Sequence, residues 1–250
     1  MHAAAFTAMG LTDWRYQHLP VPPALFAETA LALGGAGFSG ANVTIPHKRG
    51  ALTLADEAGR AARAIGAANT LSFDGGAIRA ENTDAPGLLD ALGVDVRGLH
   101  ATVLGAGGSA RAAVWALLDA GAGEVTLWNR THERAVATAR ELGATAARRP
   151  PSGDVLINCT AVGLGGRWSE ADTLKQLELS VDVLADCEHV VDLVYGDGRT
   201  ALATAAGRVG ARVVDGLEVL VHQGALSFAV WTGRTPPVDA LRAGARAAAR

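Results

Sequence analysis

The chain has 250 residues, 49% of them hydrophobic and 19% charged, with a net charge of −3 and a pI near 6.2, a length that fits one large domain or two modest ones. Its arginines are scattered rather than gathered into a stripe, which argues against nucleic acid or an anionic membrane as a partner. The apolar runs are too short and too often broken by Gly or Arg to cross a bilayer, and the start lacks the layout of a signal peptide, so a cytoplasmic protein is expected.

Residues 1–10 read as the inside of a helix, with Phe6 and Met9 on one face and no N-cap before them. Residues 14–19 alternate like a strand, and Pro22-Pro23 then opens a helix that runs to about Leu33 and ends at Gly34-Gly35. Gly40-Ala-Asn-Val-Thr-Ile-Pro46 is a β-rich run stopped by proline, which puts Lys48 at a strand's carboxyl end, where the next helix starts. The Ala-rich residues 51–65 predict one helix. Residues 68–73 and 77–80, joined by Asp74-Gly75-Gly76, predict a hairpin closed by Glu81-Asn-Thr-Asp84.

A helix over residues 85–92 leads to Ala101-Thr-Val-Leu-Gly-Ala-Gly-Gly-Ser-Ala-Arg111, which reads as a buried strand, a glycine turn and a helix. Gly105 permits the tight turn, Gly107 and Gly108 leave room for a diphosphate at backbone N–H groups, and Ala110 keeps the helix close to the sheet. Gly105-x-Gly107-x-x-Ala110 therefore matches the dinucleotide fingerprint, with Ala106 and Ser109 inside it; the plain alternative is a tight connection that binds nothing. Beyond it, strands at 124–128, 154–158, 189–194 and 211–214 alternate with helices at 132–142, after Ser169, and at 200–209. Helices at 217–231 and 238–250 follow, and residues 143–152 look loosely structured. The alternation predicts an α/β fold with a doubly wound parallel sheet and a domain boundary near Asp84.

Residues after the second strand of such a sheet select the cofactor. An NAD enzyme places an acid there; here Asn129, Arg130, Thr131 and Arg134 suit a 2′-phosphate, so NADP is expected over the alternative of solvated arginines. In the first domain, Lys48 and Asp84 form a candidate acid–base pair for the proton that a carbonyl gains when it is reduced by hydride. Thr44, Asn69 and Asn82 stand at similar strand ends and suit a polyhydroxylated substrate. His47 and His2 have no partner at ligand spacing. Cys159 and Cys187 stand in no metal or redox spacing and read as buried thiols of a reducing compartment, so no metal is expected.

These motifs together resemble the shikimate dehydrogenases over nearly the whole chain. Gly40–Lys48, Gly66-Ala-Ala-Asn-Thr70 and Asn82-Thr-Asp84 resemble the family's substrate and catalytic segments, and Gly105–Arg111 with Asn129-Arg-Thr131 its NADP fingerprints. Asn158-Cys-Thr-Ala-Val-Gly163 resembles its loop beside the cofactor, and Gly216-Leu-Glu-Val-Leu-Val-His-Gln223 its return segment. The resemblance implies reversible NADPH-dependent reduction of 3-dehydroshikimate to shikimate, on the route to chorismate and the aromatic amino acids. It implies Lys48 and Asp84 as catalytic, and Thr44, Asn69, Tyr195 and Gln223 as substrate contacts. Thr160, Val162 and Gly216 join the cofactor contacts. It further implies a substrate and catalytic domain at 1–84, completed by 217–250, around a Rossmann NADP domain at 85–216, in a monomer or homodimer.

Two departures accompany the resemblance. Gly196-Asp197-Gly198-Arg199-Thr200-Ala201 stands where the family shows Asn-Pro before the gap and Pro after Thr. The family's first strand and its serine-x-serine-proline turn are also missing, which leads us to expect that Met1 is an internal methionine. Alternatives are a quinate/shikimate dehydrogenase of broader substrate or NAD use, and a catalytically impaired NADP-binding sensor.

Overall fold

A computed structural model describes residues 1–165, 168–196 and 198–248. The chain forms two compact units, Met1–Gly87 with Val221–Ala248, and Leu88–Leu220.

The first unit opens with α1 (His2–Ala8). A 3-10 turn, Pro23–Leu25, leads into α2 (Phe26–Gly35), with proline at the first position where a missing N–H costs nothing. Then come β1 (Gly40–Asn42), α3 (Lys48–Leu54), β2 (Glu57–Ala58), α4 (Arg60–Ile65), β3 (Thr70–Asp74), β4 (Ala77–Glu81) and α5 (Asp84–Leu92). The sheet order is β1-β3-β4-β2, with β1 and β4 antiparallel to β3 and β2 parallel to β4. Its core is built largely from small side chains, Ala30, Ala51, Ala62, Ala68 and Ala80 around Val43, Leu71 and Ile78, which lets the helices lie close to the strands.

Two expectations are corrected here. Residues 51–65 are two helices with β2 between them. The backbone of Asp56 donates to Ile78 O at 2.9 Å, its carboxylate accepts from Ile78 N–H at 2.8 Å, and Gly59 N–H donates to Ala80 O at 2.9 Å. These partners lie on β4, beyond α4 and β3 in the chain, and they outweigh the local helical preference. Residues 14–19 are not a strand. Their alternation places aromatic anchors: Trp14 packs on Phe6, and Tyr16 stacks on His2 while its hydroxyl donates to Asn42 Oδ1 at 3.0 Å.

The second unit contains β5 (His100–Leu104), α6 (Gly108–Asp119), β6 (Glu124–Trp128), α7 (His132–Leu142), β7 (Thr145–Ala147) and β8 (Val155–Asn158). It continues through α8 (Glu170–Gln176), α9 (Val181–Ala185), β9 (His189–Asp192), α10 (Ala201–Arg208) and β10 (Arg212–Asp215). All strand pairs are parallel, in the order β10-β9-β8-β5-β6-β7. The order reverses at β5 and β8, the switch point of a doubly wound sheet. Buried runs such as Val103-Leu104, Leu127-Trp128 and Leu156-Ile157 are apolar on both faces because helices cover both. Residues 143–152 are not wholly irregular, since β7 pairs with β6 there, and the strand expected at 189–194 ends at Asp192.

The chain ends with α11 (Gly216–Thr232) and α12 (Val238–Ala248). The predicted continuation of the last helix to Arg250 lies outside the described residues, as does Asp197. Among the described residues no helix is long and apolar enough to cross a membrane, and neither cysteine is in a disulfide, Cys187 being buried and Cys159 half-buried rather than buried.

Candidate active site

Lys48 is the first residue of α3, at the helix start expected there, and Asp84 is the first of α5, one residue before the helix expected at 85–92. A cation at a helix N-terminus faces the positive end of the dipole and has no local reason to be there. Lys48 is held by longer-range partners. Its carbonyl accepts from Ala68 N–H at 2.8 Å, and its ammonium donates to Asp84 Oδ2 at 2.7 Å. The two side chains are 12% and 19% exposed, shielded enough to strengthen the pair and open enough to meet a small molecule.

The other carboxylate oxygen, Asp84 Oδ1, accepts from the Asn69 amide at 2.8 Å. Asn69 is fixed in turn: Thr83 N–H donates to its Oδ1 at 2.7 Å, and its Nδ2 lies 3.2 Å from Gln223 Oε1. Asn69 and Gln223 are buried, so each hydrogen bond also satisfies a group that water cannot reach. The structure thus joins Lys48, Asp84, Asn69 and Gln223 in one network. Thr83 belongs to it as well, with its hydroxyl 3.0 Å from Asn69 Nδ2, and sequence reasoning missed it although it lies between two residues singled out there.

Other candidates of this unit stand apart. Thr44 is exposed between β1 and α3, and its carbonyl accepts from His47 N–H at 2.9 Å. The Asn82 side chain is engaged within the fold: its amide donates to Ala67 O at 2.9 Å and its Oδ1 accepts from Ala85 N–H at 3.2 Å, which caps α5. His47 stacks on Phe26 and bonds Val21 O through Nε2 at 2.9 Å, a packing role.

In the second unit, Gly105 ends β5 at φ +109, a conformation other residues rarely adopt, and a Cβ there would approach Cys159 O at 3.1 Å. Gly107 precedes α6, which has no side-chain cap and no acid in its first turn, and a Cβ at Gly107 would meet nothing within 4 Å. Open space in front of an uncapped helix start fits a diphosphate. Gly108 and Ser109 form the first turn, Ala106 packs partly against the core, and Ala110 is fully buried. At the end of β6, Arg130, Thr131 and Arg134 are exposed, and Asn129 Nδ2 donates to Thr131 O at 2.9 Å, shaping the turn into α7. Two arginines without an acidic partner among the described residues fit a phosphate dianion.

The comparisons follow this layout. Residues 1–71 match the family model of the shikimate dehydrogenase substrate binding domain, 89–159 that of shikimate / quinate 5-dehydrogenase, and 216–243 that of the shikimate 5'-dehydrogenase C-terminal domain. A shikimate dehydrogenase (NADP(+)) of Methanothermobacter thermautotrophicus is 40% identical over 255 residues, covering 96% of this chain and 88% of that protein. The chain belongs to the shikimate dehydrogenase family.

A second family member, from Rhodopseudomonas palustris, is 43% identical over 88% of this chain and 80% of its own length. The fold matches a crystal structure of shikimate 5-dehydrogenase from Thermus thermophilus in complex with NADP(H) and shikimate, with a TM-score of 0.87 and 37% identity over 99% of this chain and 92% of that one.

In this family member the loop after β8 is held by hydrogen bonds of its own. Thr160 N–H and hydroxyl donate to Asn158 Oδ1 at 3.0 and 2.7 Å, and Val162 N–H donates to Thr160 Oγ1 at 3.1 Å. Tyr195, half exposed, lies on the loop after β9 beside a pocket of about 350 Å³ that Val194, Thr200 and Leu217 also line. Gly216 opens α11. Asp192 was missed by sequence reasoning, although a lone acid ending an otherwise apolar strand was the available signal.

Proposed function

We propose that this chain is an NADP-dependent shikimate dehydrogenase that reduces 3-dehydroshikimate reversibly to shikimate, a step toward chorismate and the aromatic amino acids. The single observation that supports the chemistry best is the Lys48–Asp84 pair at 2.7 Å, braced by Asn69. NADPH supplies the hydride when it is bound. The chain supplies the rest: Lys48 donates a hydrogen bond to the substrate oxygen and steadies its negative charge, and the Lys48–Asp84 pair delivers the proton that makes it a hydroxyl. In the reverse direction the pair takes that proton back.

Thr44, Asn69, Tyr195 and Gln223 are the substrate contacts. Gly105, Ala106, Gly107, Gly108, Ser109 and Ala110 hold the diphosphate. Asn129, Arg130, Thr131 and Arg134 hold the 2′-phosphate, and Thr160, Val162 and Gly216 line the nicotinamide end. On this reading residues 1–84 with 217–250 serve substrate and proton, and 85–216 serve NADP, in a cytoplasmic monomer or homodimer. Purified protein given shikimate and NADP+ should generate NADPH, with lower kcat/KM for quinate and for NAD+. Failure to form NADPH from shikimate, by a protein that still binds NADP+, overturns the reading.

A further inference from the structure

We propose that Arg148 is a further determinant of cofactor choice, binding the 2′-phosphate from the neighbouring strand. The inference rests on the NADP reading above and deepens it. β7 runs parallel to β6 with Thr126 opposite Thr145, Leu127 opposite Ala146 and Trp128 opposite Ala147. The ladder ends there, and extending its register by one residue puts Arg148 level with Asn129, the first residue of the turn that carries Arg130. Adjacent strands lie about 4.8 Å apart, well within the reach of an arginine side chain.

The alternation of side chains fixes which face Arg148 serves. Leu127 and Ala146 pack into the apolar layer that includes Ala135 and Ala139 of α7. Extended past the strand ends, the alternation puts Asn129 and Arg148 on that same face, the side of the sheet packed by α7, which has Thr131 as its N-cap and Arg134 in its first turn. The same extension puts Arg149 on the opposite face. Charge supports the assignment: Arg79, Arg97, Arg111, Arg208 and Arg242 each pair with a carboxylate. Arg130, Arg134, Arg148 and Arg149 are exposed and pair with no carboxylate among the described residues, not even with Glu133 in the first turn of α7, so position rather than pairing separates Arg148 from Arg149. Arg130 and Arg148, which follow adjacent strand ends, and Arg134 in the first turn of α7 form a site for a doubly charged group, and a phosphate monoester takes charge-assisted hydrogen bonds from several guanidinium groups at once.

The test is calorimetric titration of the full chain and its Arg148→Ala, Arg149→Ala and Arg130→Ala variants with NADP+, NAD+ and adenosine 2′,5′-bisphosphate. Arg148→Ala should weaken NADP+ and the bisphosphate by about tenfold or more and leave NAD+ within about twofold, whereas Arg149→Ala should leave all three unchanged. If Arg130→Ala weakens the bisphosphate and Arg148→Ala does not, this inference fails and the cofactor reading stands. Equal losses in Arg148→Ala and Arg149→Ala also defeat it, because a general charge effect then explains both. If the unmodified chain binds NADP+ no tighter than NAD+, the cofactor reading itself fails.

Discussion

Asn158 and Asp192 end the neighbouring parallel strands β8 and β9 at matched positions, and the Asn158 amide donates to Asp192 Oδ1 across 2.8 Å. Asp192 also accepts from Thr200 Oγ1 at 2.6 Å and from Val194 N–H at 3.2 Å. One carboxylate therefore ties the loop after β8 to the loop after β9. Burial pushes the Asp192 carboxyl above the ordinary carboxylate range, and the three donors work against that shift. Asp192→Ala strands all three donors in the interior and should lower unfolding stability by about 3 kcal/mol or more. Asp192→Asn, which keeps an acceptor for Asn158, should lose less. Urea denaturation of both variants checks the order, and NADP+ titration should show weaker binding in the Ala variant.

Lys48→Ala should lower kcat by about 10²–10⁴-fold while the Kd for NADPH, read by nucleotide fluorescence, stays within about twofold. A kcat within about threefold of the unmodified enzyme would remove Lys48 from the chemistry. Asp84→Ala should show a similar loss in kcat, since it leaves Lys48 without its 2.7 Å partner.

His2 predicts an acid-sensitive fold. Its ring is 2% exposed and stacked on Tyr16, and burial, joined by the N-terminal charge and opposed by the Asn42 side chain, lowers its pKa from 6.5 to about 4. The folded state resists protonation that the unfolded chain accepts. Stability from this group is therefore full above pH 6.5 and is lost as pH falls toward 4, by about 3 kcal/mol in all. His2→Phe keeps the stacking and removes the titration. Urea unfolding at pH about 7 and about 4.5 should show a smaller acid loss in the variant, and equal losses would show that other groups govern the response.

Gly87 lies on α5 one turn after Asp84, where a Cβ would stand 2.6 Å from both the Cα and the N of Gln223. Gly87→Ala must push the α11 backbone away and carry the Gln223 amide off Asn69. The expected outcome is a raised KM for shikimate and a stability loss of about 1–3 kcal/mol, with NADP+ affinity nearly unchanged. Steady-state kinetics with each substrate varied in turn measure the split.

The parts of the fold that were legible in the sequence are those set by local chemistry. The hairpin followed from Asp74-Gly75-Gly76, and the turn at Gly105 from glycine spacing after an apolar run. The Lys48–Asp84 pair was visible because charged residues beside apolar strands are unusual. What stayed hidden depended on distant partners. The break at Asp56 follows from bonds to β4, and the role of Asn82 as a helix cap follows from the helix that begins beside it. β7 is only three residues long, of small and polar types, and exists because β6 offers it an edge.

That edge has a consequence for behaviour at high concentration. β7 is the outermost strand on its side of the six-stranded sheet, with one row of backbone groups facing away from β6. Such a row is a template for another chain. Here the template stops after three residues and runs into Arg148-Arg149-Pro150, two positive charges that repel their own kind and a proline with no N–H to offer. The same short segment that brings a cation toward a phosphate therefore also discourages molecules of this protein from adding onto one another strand by strand.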